Sequence, residues 1–213
     1  MSKVLVTGSS DGLGLMAAQR LLAAGHEVVL HGRNSGRARD AQTAAPKARG
    51  VVVGDLASIA ETRALAEQAN RLGPFDAVIH NAGVGDRERR IETVDGLEHI
   101  FAINVLAPYL LTALIDVLLA FAMARRWPDV RSNAVDPGWV ATKMGGRGAP
   151  DDLEQGSETQ VWLAVSQDAA AMVSGAYFYH KKRQSIHPVA SDATIQDRLL
   201  AACEELTGTP IPL

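Results

Sequence analysis

The chain has 213 residues, 47% of them hydrophobic and 21% charged, with a formal net charge of −3. Its size fits one domain, residues 1–213, with room for a substantial core, and its charge balance leaves no basic footprint for nucleic acid or for an anionic membrane. The lone cysteine, Cys203, allows no internal disulfide and fits a reducing, cytoplasmic setting, and the opening MSKVLVTG lacks the apolar run and cleavage site of a signal peptide.

Val4–Thr7 is a short apolar run ended by Gly8, the pattern of a buried parallel strand. Leu13–Ala24 has helical spacing and stops at Gly25, a residue suited to a helix end. A second strand, Glu27–Leu30, leads into His31-Gly32-Arg33-Asn34. Residues 37–45 read as a short helix or loop, and Gly50–Gly54 as a third strand followed by Asp55-Leu56. An amphipathic helix over Ala60–Leu72 closes at Gly73-Pro74, and Ala77–His80 is a fourth strand. This alternation predicts an α/β fold, a doubly wound parallel sheet with helices on both faces.

Helices are then expected from about Gly96 to Ile115 and from about Asp116 to Arg126. Residues 102–124 are apolar enough to span a bilayer by length, but Asn104, Pro108 and above all Asp116 argue for burial in protein instead. Val130–Val135 is a weakly alternating strand before Asp136-Pro137-Gly138. Thr142–Gly156 is Gly-rich and aperiodic, the pattern of a mobile loop over a pocket. Ser157–Ser166 is a helix and Ala176–Tyr179 a last strand. Ala193–Leu206 is a closing helix, capped by Ser191 or Asp192 and ended by Gly208.

Thr7-Gly8-Ser9-Ser10-Asp11-Gly12-Leu13-Gly14 sits between the first strand and the first helix. Glycines there permit a tight turn and close backbone approach, and the helix amino terminus offers N–H groups and positive dipole to a pyrophosphate. The end of the second strand reads the ribose 2′ position, where an acid would favour a hydroxyl and an arginine a phosphate. Arg33 and Asn34 stand there with no acid beside them, which favours NADP(H), with NAD(H) as the alternative. His26, His31, His80, His99, His180 and His187 show no metal-ligand spacing, with one another or with Cys203.

TGSSDGLG, Asp55-Leu56, Asn81-Ala82-Gly83, Asn104 and Pro137-Gly138, in this order, resemble the short-chain dehydrogenase/reductase family, in its retinol-dehydrogenase-like branch. Ser174-Gly175-Ala176-Tyr177-Phe178 looks like the family's last strand. The resemblance implies a Rossmann-type fold, a nicotinamide cofactor and hydride transfer between a small carbonyl compound and its alcohol. It places Asp55 at the adenine, Asn81 to Gly83 along the cofactor, and Pro137, Gly138 and Thr142 at the nicotinamide. Asn104 takes the place of the family's catalytic asparagine.

The family's Ser-bearing strand and Tyr-x-x-x-Lys helix belong between the Asn104 helix and Val117–Trp127. Here Ile115 runs straight into Asp116, so a central strand and the usual proton donor are missing. Tyr177 and Lys181 match the Tyr-x-x-x-Lys spacing, but a β-like run holds such a pair about 13 Å apart, too far for Lys181 to tune the hydroxyl. Tyr109 reads as core packing, and Ser132 has no base beside it in sequence. With the strand lost, the fourth strand would pair directly with Val130–Val135. Two explanations stand open: a segment absent from this sequence, or a real deletion in a cofactor-binding, catalytically impaired relative. The apolar helices on either side of the junction fit a homodimer or homotetramer interface.

Overall fold

A computed structural model describes residues 1–85, 89–112 and 117–211. The Ile115-Asp116 junction, with the helix break expected there, lies outside the described residues. Strands β1 (Lys3–Val6), β2 (Glu27–Gly32), β3 (Gly50–Val53) and β4 (Ala77–Ile79) form a wholly parallel sheet in the order β3-β2-β1-β4. Alternation along these strands divides two cores. Val4, Val6, Val28 and Leu30 face one side, against α1 (Gly12–Ala23) and α2 (Ser35–Ala44). Leu5, Val29 and Val52 face the other, against α3 (Ile59–Leu72), whose Leu65 and Ala69 are buried.

Past β4 the chain departs from one uninterrupted helix. Gly96 is a left-handed turn residue (φ +73°), and helix begins only at α4 (His99–Phe101). It then passes through a π turn, Ala102–Leu106, into α5 (Ala107–Thr112). Helix α6 (Val117–Arg126) leads to β5 (Asn133–Asp136). Helix α7 (Leu153–Val165) starts four residues earlier than the sequence suggests, because Asp152 caps it by accepting from the Gln155 amide at 2.9 Å. β6 (Ala176–Tyr179) runs parallel to β5. A turn at His180-Lys181, both with positive φ, then folds β7 (Lys182–Gln184) back against β6. This short exposed hairpin carries no apolar alternation, which is why sequence reading missed it. Asp192, not Ser191, caps α8 (Ala193–Thr207), and Gly208 ends it in the left-handed region.

The direct pairing of the fourth strand with 130–135 is not what forms. Among the described residues β4 and β5 are edge strands of separate sheets, the second ordered β5-β6-β7. Helix α7 packs against both β4 and β5, holding the two sheets beside one another without joining their edges. Part of the apolar surface of the π turn, α5 and α6 is met inside the chain: Leu106, Tyr109, Leu119 and Met123 pack with Leu200 and Cys203 of α8. Tyr109 is core, as expected. Its hydroxyl donates to the Thr209 carbonyl at 2.7 Å, and burial, with Cys203 and Glu204 nearby, pushes its pKa up to about 12. No helix among the described residues is long and apolar enough to cross a membrane.

Candidate nucleotide-binding site

The carboxy-terminal ends of β1, β2, β3 and β4 meet at the glycine turn. Gly8 and Gly12 adopt positive φ (+61° and +54°), conformations that a side chain resists. Gly14 is required for a different reason. A Cβ there would stand 2.5 Å from the Gly8 carbonyl oxygen and collide with the Asn81 amide. The Asn81 Nδ2 donates to the Thr7 and Gly8 carbonyls at 3.2 and 3.3 Å, and Thr7 Oγ1 accepts from the Ala82 amide at 3.0 Å. Thus the segment after β4 is bound to the turn after β1. A Cβ on Gly83 would sit 3.5 Å from Asn104 Oδ1, so this glycine brings the same segment against the Asn104 helix.

Asp11 stands at the cap position of α1, yet its carboxylate makes no capping bond. Asp11 therefore leaves the first-turn amides of Gly12, Leu13 and Gly14 uncapped at the positive end of the helix, an anion seat. This fits a cofactor pyrophosphate. Ser10 is half-buried in the turn, whereas Ser9 is fully buried and does something else: its Oγ accepts from the His31 amide at 2.8 Å.

His31 is the residue that sequence reading passed over. Its Nδ1 accepts from the Gly8 amide at 2.9 Å, and its Nε2 lies 2.9 Å from the Gly54 carbonyl. The amide can only donate and the carbonyl can only accept, so the ring is neutral with the proton on Nε2. Burial pushes its pKa down, against weaker upward pulls from the Gly54 carbonyl and Asp55. His80 is also buried, and its pKa falls to about 3. Both rings are neutral when folded and bind protons more readily when unfolded. Stability is then full above the free value of about 6.5 and lost as pH falls toward the folded values, by up to about 1.4 kcal/mol per ring per pH unit. Chemical denaturation between pH 7 and 5 should show this slope, and His31→Gln should reduce it; an unchanged slope would refute the His31 contribution.

Beyond β2, Arg33 is exposed and makes no hydrogen bond or ion pair among the described residues, while the Asn34 side chain caps α2 through the Arg37 amide at 3.0 Å. Arg37 binds Asp11, and also Asp40 at 3.0 Å. Asp55 Oδ1 accepts from the Ala57 amide at 3.0 Å, and Leu56 buries its side chain under α3. Asn104 lies in the π turn, an uncommon element that recurs at functional sites. Its Oδ1 accepts from the Val84 amide and its Nδ2 donates to the Val84 carbonyl, both at 3.0 Å.

The segment after β5 folds back onto the glycine turn. A Cβ on Gly12 would lie 3.7 Å from Thr142 Cγ2, and Lys143 Nζ reaches Asp11 at 2.5 Å. Gly138 (φ +82°) follows Pro137, donates to Asp136 Oδ1 at 2.8 Å, and has no room for a Cβ beside Asp151. Thr142–Gly156, expected from sequence to be a mobile loop, gives way to α7 from Leu153, and residues 139–151 before it are cross-tied. Trp139 donates from its amide to Asp151 at 2.6 Å and from Nε1 to the Gly145 carbonyl at 2.8 Å. Tyr177 and Tyr179 donate to Asp136 at 3.2 Å and Asp151 at 3.3 Å, bracing this turn. Burial and the Asp136 carboxylate push the Tyr177 pKa up. Lys181 instead pairs with Glu158 at 3.1 Å, so Tyr177 and Lys181 form no catalytic couple. Ser132 is buried with its Oγ unpartnered, and no group of metal-ligating side chains occurs among the described residues.

A parallel sheet whose first loop is a glycine turn tied to Asn81, with Asn104 against the segment after β4, defines a Rossmann-type fold. The family model described as short chain dehydrogenase matches residues 2–120. An uncharacterized oxidoreductase of Emericella nidulans is 40% identical over an alignment spanning 100% of this chain and 99% of the relative. That alignment has 253 positions against 213 residues here, a difference of 40. The chain belongs to the short-chain dehydrogenase/reductase family and is an oxidoreductase of that family. Among solved structures, an uncharacterized protein from Mycobacterium paratuberculosis superposes with TM-score 0.80 at 21% identity, covering 100% of this chain and 96% of that one. A metagenomic blue fluorescent protein solved with NADPH superposes with TM-score 0.69 at 20% identity, covering 84% and 95%.

Proposed function

We propose that this fold serves NADP(H)-dependent hydride transfer between a small ketone or aldehyde and its alcohol. The observation that carries the cofactor half is the uncapped amino terminus of α1, with the Asp11 carboxylate turned away from it. The amides of Gly12, Leu13 and Gly14 would hold the pyrophosphate, and Arg33 with Asn34 the 2′-phosphate. Asp55 and Leu56 would flank the adenine, and Asn81, Ala82 and Gly83 would line the cofactor. Pro137, Gly138 and Thr142 would face the nicotinamide. The bound cofactor supplies or accepts the hydride. Asn104, engaged at both ends with Val84, fixes the loop beneath it.

A second reading has its own support: a catalytically impaired NADP(H)-binding homologue. The described tyrosine hydroxyls donate to the Thr209 carbonyl, Asp136 and Asp151, and burial together with the Asp136 carboxylate makes Tyr177 a weaker acid. The 40 positions by which the alignment exceeds this chain, together with the two unpaired edges at β4 and β5, favour a missing strand and helix as the cause. We take residues 1–213 as one cytoplasmic domain that assembles as a homodimer or homotetramer.

Fluorescence titration with NADPH and NADH tests the cofactor half, with tighter NADPH binding expected; binding of neither nucleotide would overturn it. Intact mass of the native protein separates the two readings. A mass several kilodaltons above 22.6 kDa supports the active enzyme, and a mass at that value supports the impaired homologue. Sedimentation of the same sample at micromolar concentration as a clean monomer would contradict the assembly.

A further inference from the structure

Asp11 occupies an odd electrostatic position. It stands where a side chain ordinarily caps a helix, yet its Oδ2 accepts from the Arg37 guanidinium and from Lys143 Nζ. The two cations come from different segments, Arg37 from the first turn of α2 just past the 2′-reading end of β2, and Lys143 from the segment after β5. Partial burial disfavours the Asp11 anion, but its bonds to Lys143 and Arg37 outweigh this and keep the carboxyl below the usual range. A fixed anion thus bridges two cations beside the glycine turn, near Arg33, which makes no hydrogen bond or ion pair among the described residues.

We propose that Asp11 is a stand-in for the cofactor's 2′-phosphate, holding Arg37 and Lys143 until NADP(H) displaces it, and that Arg37 is a specificity-determining residue of this chain. The proposal rests on the NADP(H) reading. A phosphate carries more charge than a carboxylate and matches the guanidinium fork, so the exchange favours the 2′-phosphorylated cofactor. A cofactor ending in a 2′-hydroxyl offers Arg37 only a neutral acceptor, weaker than the carboxylate, and leaves the Asp11 contacts intact. Arg37 is the better held of the two cations, its side chain 26% exposed against 79% for Lys143, so of these two it is the one expected to join Arg33 in reading the 2′-phosphate.

The test uses calorimetric titration of the full chain with adenosine 2′,5′-bisphosphate and adenosine 5′-monophosphate, so that no catalytic step is needed. Arg37→Gln is expected to weaken the bisphosphate about tenfold, while the monophosphate stays within about twofold. Asp11→Asn, which frees Arg37 and removes a competing charge, is expected to strengthen the bisphosphate about three- to fivefold with the monophosphate again little changed. Equal shifts for both probes, or none, overturn the proposal. A wild-type protein without preference for the bisphosphate overturns the NADP(H) reading instead. The Asp11 assignment then survives only if Asp11→Asn creates that preference.

Discussion

Gly14→Ala is expected to weaken NADPH binding at least tenfold and to lower stability by about 2–3 kcal/mol, a cost typical of forcing atoms into a filled space. The methyl would meet the Gly8 carbonyl oxygen and the Asn81 amide, neither of which has anywhere to go. The Gly8 amide is held by His31, and the Asn81 Nδ2 is the tie between the two loops. Relief therefore comes only by opening the glycine turn, which moves the α1 amides. Gly148→Ala is the control, because no heavy atom lies within 4 Å of its Cβ position, and it should change stability by less than about 0.5 kcal/mol. Denaturant melts and NADPH titrations of the two variants decide the matter. If Gly14→Ala behaves like Gly148→Ala, the turn is not the rigid cradle described.

This prediction was half visible in the sequence. The spacing of Gly8, Gly12 and Gly14 after an apolar run marks the turn, but what forbids a methyl at Gly14 is Asn81, 67 positions away in the chain. The parallel character of the sheet and the element placement of the first half follow from local patterning and were legible to within a residue or two, whereas the strand order came only with the structure. His31 was not, because a histidine ending an apolar strand looks the same whether it packs or bonds; only the convergence of Gly8, Ser9 and Gly54 gives it a role. The π turn at Asn104 escaped for a related reason. One extra residue in a helix leaves the apolar pattern nearly unchanged, while the Asn104–Val84 exchange that accompanies it is a tertiary contact. Arg37 was hidden behind Arg33, the nearer cation, since no pattern announces that Asp11 will reach for it. The second half was less legible because its polar tyrosines and aspartates bond across the 136–151 turn rather than along the chain.

The chain of 213 residues is expected to bind NADPH and to reduce no carbonyl above background, and a graft is expected to change that by two orders of magnitude or more. Hydride delivery to a carbonyl leaves an alkoxide that needs a proton, and a positioned donor is worth about 10²–10⁴ in rate. The described tyrosines are committed elsewhere: Tyr109 to the Thr209 carbonyl, Tyr177 to Asp136 and Tyr179 to Asp151. What the fold offers instead is room in its topology. β4 and β5 each end a sheet, and one parallel strand between them would join the two into a single sheet in the order β3-β2-β1-β4, new strand, β5-β6-β7. The experiment inserts, between α5 and α6, a strand followed by a helix bearing Tyr and Lys four residues apart, so that both share a face. NADPH oxidation is then followed over a panel of ketones and aldehydes. Activity at least about 100-fold above the ungrafted chain, abolished when the inserted Tyr is changed to Phe, would confirm that only the proton donor was lacking. A graft that folds and binds NADPH yet stays inactive would refute it, as would turnover by the ungrafted chain that disappears on Tyr177→Phe. The second failure would mean that Asp136 positions a working acid after all, and that the impaired reading is wrong for this chain.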